Sequence, residues 1–428
     1  MQEHPVLGHV TLGYSPLVDR QRSVVATRLT AFPARPDLQP DMAALMRAVN
    51  EVWPAPAPSP SPSPSPSPAS APATAARRAD AAPGGVRCPL SLNIAGETML
   101  QAALGLPLPP QLMLEVPAFM AADPAHAAAI KALHAGGSVL LIKGRPLAPL
   151  PGDMVRCFAH IVVDANDDRR AGPGPGAEPG ARQVSTIQSG VTTPADLDAA
   201  FARGAVAAFG WPFGDEPART AGREAVPPDV GLVVELMNGV DRDVPVARLE
   251  GILKRDPTLA FRLLRYLNSP GFGLSVEVTS FNHALMLLGP QRLKRWLALL
   301  LASSSKDPNA RPLLFAAMRR GLLLETLVGD SDDTGMRGEI YICGIFSLLD
   351  RLLQQPMASL LQSVPMPDRV NLALRGQGGP FAPYLALACA IEQESMLDIR
   401  ECTERLFMGP AEVNRALMRS LGAARLLD

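Results

Sequence analysis

Histidine is scarce in this chain, with six in 428 residues, and aromatic side chains account for only 5%. Few imidazoles leave few candidates for zinc ligation or proton shuttling, and few aromatics leave no stacking platform for single-stranded nucleic acid. Paired cysteines are lacking too. Cys88, Cys157, Cys343, Cys389 and Cys402 are odd in number, scattered and without a CxxC pair, so neither a disulfide framework nor a zinc knuckle is indicated and a reducing cytoplasm suits them. The formal net charge of -1 gives no global attraction to nucleic acid or anionic lipid. No long apolar run exists: the stretch near Leu297 to Ala302 is far too short to span a bilayer, and the N-terminal MQEHPVLGHVTLGYSP has no signal-peptide pattern. Membrane insertion is therefore not expected. Gly-rich phosphate loops, G-x-S-x-G elbows and H-E-x-x-H helices are also absent.

What the chain does have is 47% hydrophobic residues and length for two or three domains. In the first half, VLGHVTLGYSPLVD and RSVVATRLTAF read as two strands around Asp19–Arg22, and DMAALMRAVNEV from Asp41 to Val52 as an amphipathic helix. A Pro-Ser alternation at 54–76 cannot form a helix or pack a core and reads as an extended insert. Strands are then expected at Leu90–Ala95, Leu112–Val116, Ser138–Ile142, His160–Asp164 and Val184–Gln188, with helices at Glu97–Leu104 and Pro194–Arg203. Alternating strands and helices predict a parallel α/β domain over residues 1–217, with TIM-like barrel closure as one outcome. A second insert, Gly-Pro-rich, falls at 172–180.

The second half, 218–428, reads as all helical, with Asp215–Pro228 as the boundary. Pro227-Pro228 and Pro245 start amphipathic helices, Gly289-Pro290 stops one and restarts another, and Asp256-Pro257 is a strong helix start in DPTLAFRLLRYLNSPGFG. Further helices are read in GEIYICGIFSLLDRLLQQP, ASLLQSV, PDRVNLALR, PYLALACAIEQES and the stretch through Met408 to Leu427. The words LEGILKRDPTLAFRLLRYLNSPGFG and VTSFNHALMLLGPQRLKRWL closely resemble the HDOD domain, a bacterial all-helical signalling module related to the HD metal-phosphohydrolases. Active HD enzymes require an adjacent His-Asp pair. The corresponding word here is Gly344-Ile345-Phe346-Ser347-Leu348-Leu349-Asp350, which holds no His, and His283 alone follows His160.

The order of the N-terminal blocks resembles an EAL domain, the barrel that in its active form hydrolyses cyclic di-GMP with two divalent cations held by carboxylates and an Asn. The resemblance places Arg28 where the family has its first-strand Glu, keeps an Asn as Asn93 in LNIA and a Glu as Glu115 in MLEV, and replaces the Asp-Asp pair by Lys143-Gly144. Two surviving oxygen ligands cannot build a two-metal site, and Arg28 and Lys143 would repel the cations. The sequence thus predicts no catalytic residue, no metal and no cofactor.

The reading is a degenerate EAL barrel joined to an HDOD bundle, acting in bacterial signalling through contacts with other signalling proteins. Arg262, Arg265, Tyr266, Asn268, Phe272 and Trp296 are the candidate partner surface. The alternative is a non-catalytic receptor for cyclic di-GMP or another nucleotide, with Arg28, Asn93 and Glu115 at the barrel mouth. Nucleic-acid binding through Gln291, Arg292, Lys294 and Arg295 is disfavoured, because Leu293, Trp296 and Leu297 are interleaved for burial. Homo-oligomerisation stays open.

Overall fold

A computed structural model describes residues 4–35, 38–53, 89–170, 184–213, 228–253, 281–302, 309–329, 334–363 and 367–424. Eight strands close into a barrel in sequence order: β1 (Val10–Asp19), β2 (Val24–Pro33), β3 (Leu90–Ile94), β4 (Leu112–Pro117), β5 (Val139–Lys143), β6 (Phe158–Asp164), β7 (Ser185–Val191) and β8 (Ala207–Gly210). From β2 round to β8 the neighbours are parallel, as the strand–helix alternation predicts. The exception is β1, which is antiparallel to both β2 and β8. The short connection Asp19–Arg22 explains this: a tight turn can only reverse the chain, whereas a parallel neighbour needs a crossover.

Successive side chains on a strand point to opposite faces, so one set from each strand fills the barrel. Leu17, Ala26, Met113, Leu141, Val162, Ile187, Ala207 and Phe209 pack together as an apolar plug. Two residues further toward the C-terminal ends of β2, β4, β5 and β6, the same inward positions are Arg28, Glu115, Lys143 and Asp164. The barrel is therefore apolar at its waist and charged at its mouth. Helices Met42–Val52, Glu97–Leu104, Pro124–Ala135 and Pro194–Ala202 surround it, the last opened by a capping box between Thr193 and Asp196.

The other half is helical, as expected. Helices Pro228–Asp241 and Val246–Leu253 start after the prolines read from the sequence, and Phe281–Ala302 bends at Gly289, whose φ of 65° only Gly adopts without strain. Ala310–Val328, Thr334–Phe346, Leu349–Leu353, Met357–Ser363, Asp368–Leu374, Ala382–Glu392, Met396–Arg405 and Pro410–Ala424 follow. Ala310–Val328 crosses Thr334–Phe346 at backbone contact: a Cβ on Gly344 would lie 2.6 Å from the Cα of Gly321. The helix start at Asp256, the candidates Arg262, Arg265, Tyr266, Asn268 and Phe272, and both inserts lie outside the described residues.

The two halves share a continuous core. Pro410–Ala424 lies against both Ala310–Val328 and the first turn of the chain, Pro5–Gly8. Its buried Asn414 is the polar fastening: the amide donates to the carbonyls of Leu7 and Val10 at 2.8 and 2.7 Å and accepts from the Leu12 N–H at 3.1 Å. An amide suits this position because its NH₂ supplies two donors while its oxygen accepts. Asn414→Ala leaves three buried backbone groups unpartnered and is expected to cost about 2–4 kcal/mol. Asn414→Asp, which sets a carboxylate against two carbonyls, should lower the melting temperature further than Ala. Calorimetric melting of the two variants checks that order.

Candidate functional site

The charged barrel mouth is closed by a turn from the helical half. Helix Ala382–Glu392 ends with the Glu394 N–H donating to the Ile391 carbonyl and the Ser395 N–H to the Ala390 carbonyl, with Glu394 at φ 55°. This is a Schellman ending, whose left-handed position ordinarily carries Gly. Here it carries Glu394, and the side chain enters the barrel. Its carboxylate accepts from Ser15 Oγ and Thr30 Oγ1, each at 2.8 Å, and lies 3.9 Å from Arg28 Nη1. Strand β1 makes room by offering Gly13, where a Cβ would stand 3.0 Å from the Cα of Glu394.

Beneath this turn Arg28 and Glu115 form a bidentate pair, Nε to Oε1 at 2.7 Å and Nη2 to Oε2 at 2.6 Å, with Glu115 1% and Arg28 8% exposed. Ser91 Oγ donates to the same carboxylate at 3.0 Å. Burial opposes the charge on Arg28, but the adjacent Glu115 and the hydrogen bonds to it outweigh that cost and raise its pKa further above the ordinary arginine value. Arg28 also lies 5.0 Å over the Phe209 ring that tops the apolar plug. Lys143 Nζ donates to Asn93 Oδ1 at 2.9 Å, and Asn93 Nδ2 donates to Thr30 Oγ1 at 3.2 Å. Burial, and after it the nearby Arg28, lowers the Lys143 pKa.

A second buried pair sits alongside. Arg320 Nε and Nη2 donate to the two Glu392 oxygens at 3.0 and 2.5 Å, and Nη1 donates to Ser347 Oγ at 2.7 Å. Ser347, in the word where an HD enzyme has its His-Asp pair, serves here as the acceptor for a buried guanidinium. Trp211 meets Tyr14 of β1 edge-on at 5.3 Å and joins the barrel to the helices by donating Nε1 to the Glu392 carbonyl at 2.8 Å and packing its ring 6.3 Å from that of Phe315. Between the two pairs lies a cavity of about 970 Å³ whose lining includes Arg28, Asn93, Lys143, Asp164, Arg320 and Glu394.

The sequence-predicted Asn93 and Glu115 are thus brought together at one mouth, with Arg28 and Lys143 between them. Trp296 is only 5% exposed and belongs to the helical core. Glu394, Arg320 and Glu392 escaped the sequence reading. The one local signal was a Glu where a helix end favours Gly, and nothing in the sequence says which groups it meets. The oxygens of Glu115 and Asn93 are already engaged by cations of the chain: Arg28 holds both oxygens of Glu115, and Lys143 holds Asn93 Oδ1. Among the described residues no group of three His, Cys, Asp or Glu is placed to hold a metal ion. Burial pushes up the thiol of Cys389, which lines the cavity.

Residues 226–353 match the HDOD domain. The chain carries that signalling module and is related to cyclic di-GMP phosphodiesterase-like proteins. It is 28% identical over 181 residues to the cyclic di-GMP phosphodiesterase CdgJ of Vibrio cholerae, 42% of this chain and 39% of that protein. It is also 28% identical over 165 residues to the uncharacterized protein YuxH of Bacillus subtilis, 38% of this chain and 40% of that one. The match to each of these relatives thus spans about two-fifths of its length. Among solved structures, a putative signal transduction protein of Marinobacter aquaeolei aligns over 98% of this chain and 94% of its own at 14% identity and a TM-score of 0.35. The PaMucR phosphodiesterase in its c-di-GMP complex aligns over 48% of this chain and 91% of its own, at 13% and 0.29. No helix among the described residues is long and apolar enough to cross a membrane.

Removing one member of the Arg28–Glu115 pair strands the other charge inside the barrel. Glu115→Ala is expected to destabilise the protein by about 3–5 kcal/mol, whereas the double change Arg28→Met with Glu115→Leu should come close to the parent. Denaturant unfolding of the single and double variants tests this non-additivity.

Proposed function

We propose that this chain is a catalytically silent bacterial signalling scaffold, related to cyclic di-GMP proteins, that acts through contacts with other proteins. The observation that carries this reading is the internally satisfied barrel mouth. The polar groups first read as possible ligands or phosphate contacts are met from within the chain, Arg28 by Glu115, Asn93 by Lys143, and Ser15 and Thr30 by Glu394. Hydrolysis of a phosphodiester needs oxygen ligands turned toward metals and a water activated between them, and those oxygens face guanidinium, ammonium and hydroxyl groups instead. The absence of His from the word ending in Asp350 supports the same conclusion for the HDOD half. An HDOD module then serves as a binding surface, with Arg262, Arg265, Tyr266, Asn268 and Phe272 as the residues first chosen for charge reversal or truncation.

A second reading is supported by the cavity of about 970 Å³ at the mouth. It lies within the volume range of small-molecule sites, and a non-catalytic cyclic di-GMP or nucleotide receptor would use it.

Isothermal titration of the full-length chain with cyclic di-GMP, with and without Mg²⁺, while the same mixtures are assayed for hydrolysis, separates these readings. The scaffold reading expects neither heat nor turnover. Binding without turnover supports the receptor, and metal-dependent turnover abolished by Glu115→Ala overturns both.

A further inference from the structure

Glu394 spends its side chain in an unusual way. At the left-handed residue of a helix ending, Gly fits without strain and Glu does not, yet the chain places a carboxylate there and directs it to two hydroxyls and an arginine of the other half. The β1 strand is shaped to receive it through Gly13. The geometry is that of a receptor site holding an oxyanion, with Ser15 and Thr30 as neutral donors and Arg28 as the cation behind them.

Charge at the mouth leads to the same place. Arg28 pairs with Glu115, and Lys143 shares the mouth with the carboxylates of Glu394 and Asp164. Lys143 itself lines the adjoining cavity and makes its hydrogen bond to a neutral amide oxygen, with no carboxylate oxygen within 4 Å among the described residues. Without the Glu394 carboxylate, Arg28 and Lys143 stand against Glu115 and Asp164, and Lys143 faces the cavity together with the freed hydroxyls of Ser15 and Thr30.

From this arrangement we infer that the barrel mouth is a binding site for a small oxyanion, a phosphate or a carboxylate, which the chain fills in cis with Glu394. A soluble oxyanion competes with that carboxylate, takes Ser15, Thr30 and Lys143, and releases the turn at 393–395 from the barrel. The site couples a ligand to the contact between the two halves, because the same turn joins Ala382–Glu392 to Met396–Arg405. This goes beyond the scaffold reading and does not depend on the barrel taking a nucleotide.

The test is calorimetric titration of the full-length protein at constant ionic strength with inorganic phosphate in one series and malonate in another. Glu394→Gly, which suits the φ of 55°, is expected to bind at least one of the two about tenfold more tightly than the parent, since a competing like charge is gone. Lys143→Met added to Glu394→Gly should remove the gain. Lys131→Met is the charge-matched control: Lys131 pairs with Asp153 on an outer helix, so that change should leave the gain intact. In the parent, saturating oxyanion should speed amide hydrogen exchange at residues 393–395. Equal affinity in the parent and Glu394→Gly, or a gain that survives Lys143→Met, overturns the inference. If Glu394→Gly does not fold, Glu394→Gln provides the same comparison, as it removes the charge while leaving an acceptor for the hydroxyls.

Discussion

The buried pairing of Arg28 with Glu115 is the interaction on which the arrangement of the mouth depends. A guanidinium inside a barrel is tolerable only if a carboxylate meets it squarely and its remaining protons are placed. Glu115 supplies the carboxylate, Ser91 completes it, and Phe209 forms the floor. Once that pair is fixed, Lys143 is turned to Asn93, Asn93 to Thr30, and Thr30 to Glu394. The chain of donors runs from the barrel wall to a residue of the helical half. A site built in this fashion meets its polar groups from within the chain.

The helical half is attached by three kinds of contact with different physics. Asn414 fastens the last helix to the first strand through backbone hydrogen bonds, Trp211 joins the halves by packing against Phe315 and donating to the Glu392 carbonyl, and the Glu394 turn is polar and partly reachable from the cavity. The first two are desolvated and resist change. The third is held by hydrogen bonds that a solute could replace, at a residue whose backbone favours release. The helices that hold the barrel most directly, Ala382–Glu392, Met396–Arg405 and Pro410–Ala424, follow the segment that matches the HDOD domain. The matching segment itself contributes Arg320 and Ser347 to the second buried pair.

Relationship to a named phosphodiesterase over part of the chain does not carry that activity across, because function rests on the site and not on the fold. At this mouth Arg28 pairs with Glu115 and Lys143 with Asn93.

Much of the fold was legible in the sequence. The order of strands and helices in the first half, the proline-started helices of the second and the bend at Gly289 follow from periodicity, capping and turn chemistry, which are local. The positions of Arg28, Asn93, Glu115 and Lys143 on strand ends were legible for the same reason. The reversed direction of β1 was recoverable from its short turn but was overridden by the parallel pattern of its neighbours. Helices Ala310–Val328 and Met396–Arg405 were not read. The sequence by itself determined the elements and the charges at the barrel mouth, since both are set by residue type and spacing. Only the tertiary structure decided that Arg28 pairs with Glu115 across 87 positions and that Glu394 reaches Ser15 across 379. Closing such long loops is specified by packing of the whole core, and no local pattern encodes it.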